Sequence, residues 1–286
     1  MSTMLMTVDV EEWFQVENLR PVFPPHTWDG CESRVEGSTY LLLDLFDEYH
    51  VVATFFVLGW VAERHPGLVR EIHERGHEVA SHGYGHMLSG ELNRSMLKED
   101  LYRSKAILED IHGEPVQGYR APNFSINAEL VDLLVESGYV YDSSYNSFAA
   151  HGRYGRLEGT WTPLQSGFMI AGNGLIEIPI SNLTLGRSVI PWGGGGYFRL
   201  YPSHLFNLGV RSIIKSRGYY LFYCHPWEFD PDQPRVKGMG LGRRFRHYNN
   251  LAKTSARLSG LLDAVGKGHR FATCKKYIGI QDAINI

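Results

Sequence analysis

Short apolar runs alternate along this chain with longer segments in which apolar residues recur every third or fourth position. Residues 4–10 are the first run, ending in Asp9-Val10-Glu11-Glu12. Runs this brief and this apolar predict strands buried on both faces, as in a parallel sheet. Residues 38–49 then place Leu41, Leu42, Leu45 and Phe46 on one helical face, and 53–57 form a second strand. Pro66 opens a helix carrying Val69 and Ile72, and Gly76 closes it. The next strand runs from Glu78 into His82, followed by a charged amphipathic helix over 93–110 with Leu97, Leu101, Ile107 and Leu108 turned inward. A short strand at 117–119 ends in Arg120-Ala121-Pro122; a helix at 127–136 stops before Gly138; a strand at 139–141 ends at Asp142. Thereafter the alternation loosens: a strand at 175–180, a helix at 202–215, a strong strand at 219–224 ending in His225-Pro226-Trp227, and a closing helix at 250–262.

Three stretches break the pattern. Residues 18–36 are rich in proline and aromatics and too long for a plain connector, which predicts a functional loop or lid. Pro191–Phe198, with four consecutive glycines, predicts a mobile or ligand-facing loop without regular structure. Residues 235–246, basic and glycine-rich, read as a solvated loop.

Alternating strands and helices imply a parallel sheet, and Asp9, His82, Arg120 and His225 each sit just past a strand C-terminus. A β/α barrel gathers such positions on one rim, whereas an open doubly wound sheet gathers them across one crevice. There is no GxGxxG and no P-loop, so nothing supports a nucleotide site. A length of 286 residues suits one barrel, and the absence of repeats or low-complexity linkers favours a single domain over 1–286. The net charge of −3 argues against a general nucleic-acid binder. Cys31, Cys224 and Cys274 are odd in number and far apart, pointing to a reducing compartment. The run at 4–8 is too short and lacks the basic flank of a signal peptide, and no run approaches the ~18 apolar residues of a membrane span. A cytoplasmic location is expected.

The chemistry centres on His82-Gly83-Tyr84-Gly85-His86. Two neutral imidazoles converging on one point suit a divalent transition metal, and the glycines favour a tight loop over a helix. Side chains alternate along a strand, so Asp9 and Glu11 share one face, and one can hold metal while the other handles a proton. A carboxylate with two histidines leaves coordination positions open, as a hydrolytic site needs. Arg120 can clamp a carboxylate through its planar fork, and His225 can protonate a leaving group. Together these groups describe metal-assisted hydrolysis of an amide or ester.

In this arrangement the residues resemble the polysaccharide deacetylases, carbohydrate esterase family 4 with the NodB homology domain. The resemblance covers about residues 4–230, leaving 231–286 as a C-terminal extension. It implies a distorted (β/α)7 barrel with its active site at the C-terminal rim of the strands. Thr7-Val8-Asp9-Val10 is similar to the first family motif, which makes Asp9 the catalytic base. Val10 replaces the usual metal-binding aspartate, which shifts that role to Glu11, with Glu12 as a second candidate. The second motif implies metal binding by His82 and His86, and the ion expected is Zn2+. Arg120-Ala121-Pro122 is the third motif: its arginine orients the base, and a backbone N–H of Asn123 or Phe124 completes an oxyanion hole. Asp142 is what remains of the fourth motif. His225 is the general acid of the fifth, with Tyr223 where leucine usually lines the acetyl pocket.

Asp9–Phe14, the stretch 194–202 and the tail 247–251 further resemble the subgroup encoded with bacterial exosortase and exopolysaccharide loci. This implies a substrate that is an N-acetylhexosamine glycan or its lipid- or nucleotide-linked precursor. Trp13, Phe14, Trp192, Tyr197 and Trp227 are candidates to stack on sugar. Two other readings stay open: another C–N hydrolase on the same scaffold, such as an allantoinase-like enzyme acting on a cyclic ureide, and a metal-free sugar-binding protein.

Overall fold

The computed structural model describes residues 2–148, 154–164 and 167–279. In chain order the elements are β1 (Thr3–Val10), α1 (Val35–Glu48), β2 (Ala53–Val57), α2 (Gly59–Arg64), α3 (Pro66–Glu74), β3 (Glu78–Ser81), α4 (Arg94–His112), β4 (Gly118–Tyr119), α5 (Ala128–Glu136) and β5 (Tyr141–Asp142). There follow β6 (Trp161–Pro163), β7 (Met169–Ala171), β8 (Ile176–Glu177), β9 (Asn182–Leu185), β10 (Ser188–Pro191), α6 (Gly195–Leu200), α7 (Ser203–Arg217), β11 (Tyr219–Cys224), α8 (Leu241–Tyr248), α9 (Thr254–Leu261), β12 (Arg270–Phe271) and α10 (Cys274–Tyr277).

The main sheet runs β11-β1-β2-β3-β4-β5-β8-β7-β6, and its first seven members are parallel neighbours. This is the strand set of a distorted (β/α)7 barrel. Among the described residues it does not close by strand pairing: between β8 and β11 the seam is bridged by loop groups. The Leu221 N–H donates to Ser181 Oγ at 2.9 Å, and the Tyr223 N–H donates to the Gly193 carbonyl at 2.8 Å. β7 and β6 extend the sheet antiparallel beyond β8, while β9 and β10 form a separate hairpin.

Alternation along the strands sorts the core into two layers. Met4, Met6, Val8 and Val10 pack outward under the helices, with Phe55, Val57 and Val79. Leu5 points into the barrel with Phe56, Ala80, Tyr141, Ile178, Leu221 and Tyr223. Thr7, Asp9 and Glu11 continue the inward row of β1, and the chain exchanges apolar for polar side chains where the barrel meets its upper rim. Helix ends follow local chemistry: Asn93 and Asn127 accept from the N–H groups of Met96 and Leu130 and so cap α4 and α5.

Two expectations need correction. The Pro191–Phe198 stretch is not an irregular loop throughout, because α6 begins inside the glycine run. The glycines serve close packing: a Cβ on Gly194 would lie 1.9 Å from the Tyr223 carbonyl oxygen, and its φ of 142° is one that only glycine adopts comfortably. The basic 235–246 stretch is likewise not all loop, since α8 starts at Leu241. The extension beyond 230 also returns to the sheet: β12 pairs with the start of β1, and the Cys274 N–H donates to Thr54 Oγ1 at 2.9 Å.

Candidate metal centre and active site

A cavity of about 350 Å³ opens at the upper rim, lined among others by Asp9, Glu11, His82, His86, Asn123 and His225. Residues that lie more than two hundred positions apart in the chain thus meet in one place.

Glu11, His82 and His86 are buried and present ligand atoms all within 4.8 Å of one another. His82 Nδ1 lies 2.7 Å from the Arg120 carbonyl oxygen, which can only accept; the ring proton therefore sits on Nδ1, leaving the Nε2 lone pair free. Burial, with the charge of His86 beside it, lowers the His82 pKa to about 4 in spite of the nearby carboxylates, so it stays neutral. His86 reaches back through a left-handed backbone, φ 51°. Asp100 holds the loop between the two, its carboxylate accepting from the Tyr84 and Gly85 N–H groups at 2.9 and 3.2 Å. Only glycine fits at 83, where a Cβ would lie 2.7 Å from Asp100 Oδ2 and φ is 76°. Glu11 Oε1 accepts from the Trp227 indole at 3.0 Å. Its Oε2 lies 2.7 Å from His86 Nε2 yet is a buried oxygen without a hydrogen bond. Although burial opposes ionisation, the three histidines His86, His225 and His82 hold the Glu11 carboxyl far below its ordinary range. One orphaned carboxylate oxygen facing two imidazole nitrogens is a donor set that fits a small divalent cation.

Asp9 stands beside this group. Its Oδ1 accepts from Arg120 Nη1 at 2.7 Å, and its Oδ2 lies 3.9 Å from His225 Nε2. Arg120 is wholly buried and uses its fork fully: Nη1 also donates to Thr7 Oγ1 at 2.8 Å, Nε to the Ser143 carbonyl at 2.9 Å, and Nη2 to Ser143 Oγ at 2.9 Å. Asp142 does not reach the cavity. It accepts from Ser144 Oγ at 2.6 Å, and that hydroxyl in turn accepts from the Ala121 N–H at 2.7 Å, so Asp142 steadies the turn after Arg120 from behind.

The Phe124 N–H is taken by the Ala121 carbonyl at 2.9 Å, which removes it as an oxyanion donor. Asn123 remains. Its backbone is left-handed (φ 53°), it lines the cavity, and no internal acceptor among the described residues takes its N–H. Phe124 contributes its ring instead, packed edge-on against Tyr154 and Tyr223.

Opposite stands His225, its Nε2 3.6 Å from Glu11 Oε1 and its Nδ1 2.6 Å from Glu228 Oε1. Burial pulls its pKa down, but Glu11, Glu228 and Asp9 outweigh that and push it up to about 9. Glu228 is buried against Arg199, whose Nε donates to it at 2.6 Å; Arg199 also donates to the carbonyls of His247 and Asn249 at 2.9 and 2.6 Å. Neither Glu228 nor Arg199 stands out in the sequence as a functional group. The available signal was an acid three residues after His225 together with an arginine one turn into the glycine-rich stretch.

Other sequence expectations fall elsewhere. Glu12 points away from the cavity, as alternation requires, and accepts from Ser33 Oγ and the Arg34 N–H, so it is no metal ligand. Trp13 is buried with Phe14 and Phe23 and donates to the Glu32 carbonyl at 3.0 Å, outside the cavity. Trp192 stacks on Phe206. Tyr197 and Trp227 do line the cavity, but Trp227 is sandwiched between His225 and His247 and spends its N–H on Glu11, a supporting role more than a sugar platform.

Residues 143–279 match a domain of unknown function, DUF3473, and residues 26–141 match the polysaccharide deacetylase family. The chain is 31% identical over 125 residues to a peptidoglycan deacetylase of Helicobacter pylori, covering 43% of this chain and 42% of that protein. It is 32% identical over 98 residues to a peptidoglycan-N-acetylglucosamine deacetylase of Bacillus cereus, covering 34% of this chain and 46% of that one. The chain thus spans under half the length of these relatives. In three dimensions it superposes on the crystal structure of Puue allantoinase with a TM-score of 0.60 at 15% identity, over 96% of this chain and 88% of the other. That likeness concerns the fold alone. The region that carries His82, His86 and Arg120, residues 26–141, is thus the part that matches the polysaccharide deacetylase family.

Proposed function

We propose that this protein hydrolyses the N-acetyl group of an N-acetylhexosamine in a glycan or glycan precursor, in bacterial exopolysaccharide synthesis, and that it depends on a divalent metal, Zn2+ by its donor set. The observation carrying this reading is the convergence of Asp9, Arg120 and His225 on the Glu11–His82–His86 triad within one cavity. The names of the relatives support the N-acetylated sugar, and the resemblance of 194–202 and 247–251 to the exosortase-locus subgroup supports the setting.

Glu11, His82 and His86 would hold the cation, which supplies Lewis acidity to the acetyl carbonyl and acidifies water. Arg120 fixes Asp9 through Oδ1, so that Oδ2 faces the cavity and takes the proton of the attacking water. The Asn123 N–H donates to the carbonyl oxygen as negative charge develops there. His225, oriented at Nδ1 by Glu228, carries a proton on Nε2 and delivers it to the sugar nitrogen as the C–N bond breaks. Water adds its oxygen to the acyl carbon and its hydrogens end on the departing amine, giving acetate and a free amino-sugar. Tyr223, Phe124 and Tyr154 form an aromatic wall that fits the acetyl methyl and excludes bulk water.

The test is acetate release from oligomers of N-acetylglucosamine by zinc-loaded protein, with Asp9→Asn as control. Acetate formed by the wild type alone supports the reading. Opening of allantoin without acetate release from any N-acetylated sugar refutes it and assigns a ureide hydrolase instead.

A further inference from the structure

The helix α8 is inside out. In an ordinary surface helix the apolar stripe faces the core. Here the one buried residue of α8 is polar, His247, whereas Leu241 and Phe245 stand 85% and 59% exposed. Lying four positions apart, they share one face. Leu241 is the most exposed large apolar side chain among the described residues.

The charge around them is one-sided. From Gln233 to Leu262 the chain carries Arg235, Lys237, Arg243, Arg244, Arg246, Lys253 and Arg257 and no carboxylate, in a protein of net charge −3. Arg243, Arg244 and Arg246 are exposed, and no carboxylate among the described residues pairs with them. Gly242, Phe245 and Arg246 also line the cavity that holds Asp9 and His225, as does Leu200, itself 47% exposed. An apolar pair ringed by unpaired guanidinium groups therefore sits at the mouth of the active site.

We infer that α8 docks on an anionic lipid bilayer, its Leu241–Phe245 face entering the headgroup boundary and its arginines meeting lipid phosphates, so that the cavity opens at the membrane surface. The described helices include none long and apolar enough to cross a membrane, and α8, eight residues long, would lie in the headgroup boundary and not span it. Short helices with arginine beside leucine and phenylalanine bind such surfaces by adding apolar burial to electrostatic attraction. A second copy of this chain is a poor occupant, since the cationic segment would face itself. Three exposed apolar residues, Leu200 with Leu241 and Phe245, also fall well short of a stable protein interface. The inference stands apart from the deacetylase reading, because docking is read without turnover.

The experiment is co-sedimentation of the full chain with vesicles of phosphatidylcholine alone or mixed with phosphatidylglycerol. Binding is expected to the mixed vesicles only and to weaken as salt is raised. Arg243→Gln with Arg244→Gln should weaken it about 25-fold, at about fivefold per charge. Leu241→Ser with Phe245→Ser should weaken it at least about tenfold. Unchanged melting temperatures would show that these exposed positions leave the fold intact. Failure to bind the mixed vesicles, or binding that survives both pairs of substitutions, overturns the inference. So does a concentration-dependent dimer in sedimentation that disappears with Leu241→Ser/Phe245→Ser while vesicle binding persists.

Discussion

The contact between Arg120 and Asp9 lends itself to a complete double-mutant cycle. The two charges oppose each other at 2.7 Å with side-chain exposures of 0% and 3%. Arg120→Met leaves the Asp9 carboxylate buried and unpaired and strips donors from Thr7 Oγ1, Ser143 Oγ and the Ser143 carbonyl. Breaking a buried pair in this way costs about 3–5 kcal/mol. Asp9→Asn leaves a buried guanidinium that still has its other three bonds and lies 4.1 Å from the centre of the Phe56 ring, so about 2 kcal/mol is expected. The pair Asp9→Asn/Arg120→Met removes both charges, and a coupling of about 3 kcal/mol should make it cheaper than the sum of the single changes. The assay is urea unfolding of the chelator-treated proteins, which separates this effect from metal binding. In heat, the same coupling would appear as a double variant melting roughly 6 °C above the additive expectation. A coupling below about 0.5 kcal/mol would refute the view that charge, and not merely shape, joins the ends of β1 and β4.

Other expectations follow from single sites. His82→Ala should lose both zinc, measured by elemental analysis, and acetate release; Asp9→Asn should keep the metal and lose turnover by at least about 10²-fold. If Asp9→Asn empties the site, the roles of Asp9 and Glu11 are exchanged. His77 is buried and its pKa is lowered to about 4 by that burial, so it is neutral when folded. The unfolded chain binds a proton near pH 6.5 that the folded one refuses, so stability is fully present above that pH and falls as pH drops towards 4. The loss is about 2 kcal/mol by pH 5, and His77→Gln should flatten it in urea unfolding at pH 7 and 5. Gly194→Ala drives a methyl into the Tyr223 carbonyl at 1.9 Å in a backbone only glycine favours; a loss of at least about 3 kcal/mol is expected by the same unfolding assay. A variant that matches the wild type would show that the seam between β8 and β11 yields easily.

Much of the barrel was readable because its central strands are short, apolar and buried on both faces, which leaves few other structures for residues 4–10, 53–57 or 219–224. The rim residues followed from the same pattern, since the polar groups appear where each run stops. The added strands β6, β7 and β9 were not readable: they are three or four residues long and largely half-buried or exposed, so they carry no periodicity to detect. The helix α6 hid behind glycines required by packing against β11, a contact between residues about thirty positions apart that no local pattern announces. Asp100 gives no signal of its own in the sequence, because it sits among the other charges of α4. The Glu228–Arg199 pair stayed invisible for a related reason: a buried charge is recognisable only when its partner is known, and 29 residues separate the two.

The guanidinium of Arg199, tied both to Glu228 and to the carbonyls of His247 and Asn249, has a bearing on how this protein can be taken apart. The two matched regions divide the working groups between them: His82, His86 and Arg120 fall in 26–141, Arg199, His225 and Glu228 in 143–279, and Asp9 and Glu11 in neither. Trimming the chain after residue 230 would leave Arg199 with Glu228 but deprive it of the His247 and Asn249 carbonyls, and deprive β1 of its neighbour β12. Neither portion is a module that can be transplanted with its chemistry intact, and grafts between relatives would have to exchange the whole stretch from β1 to β12.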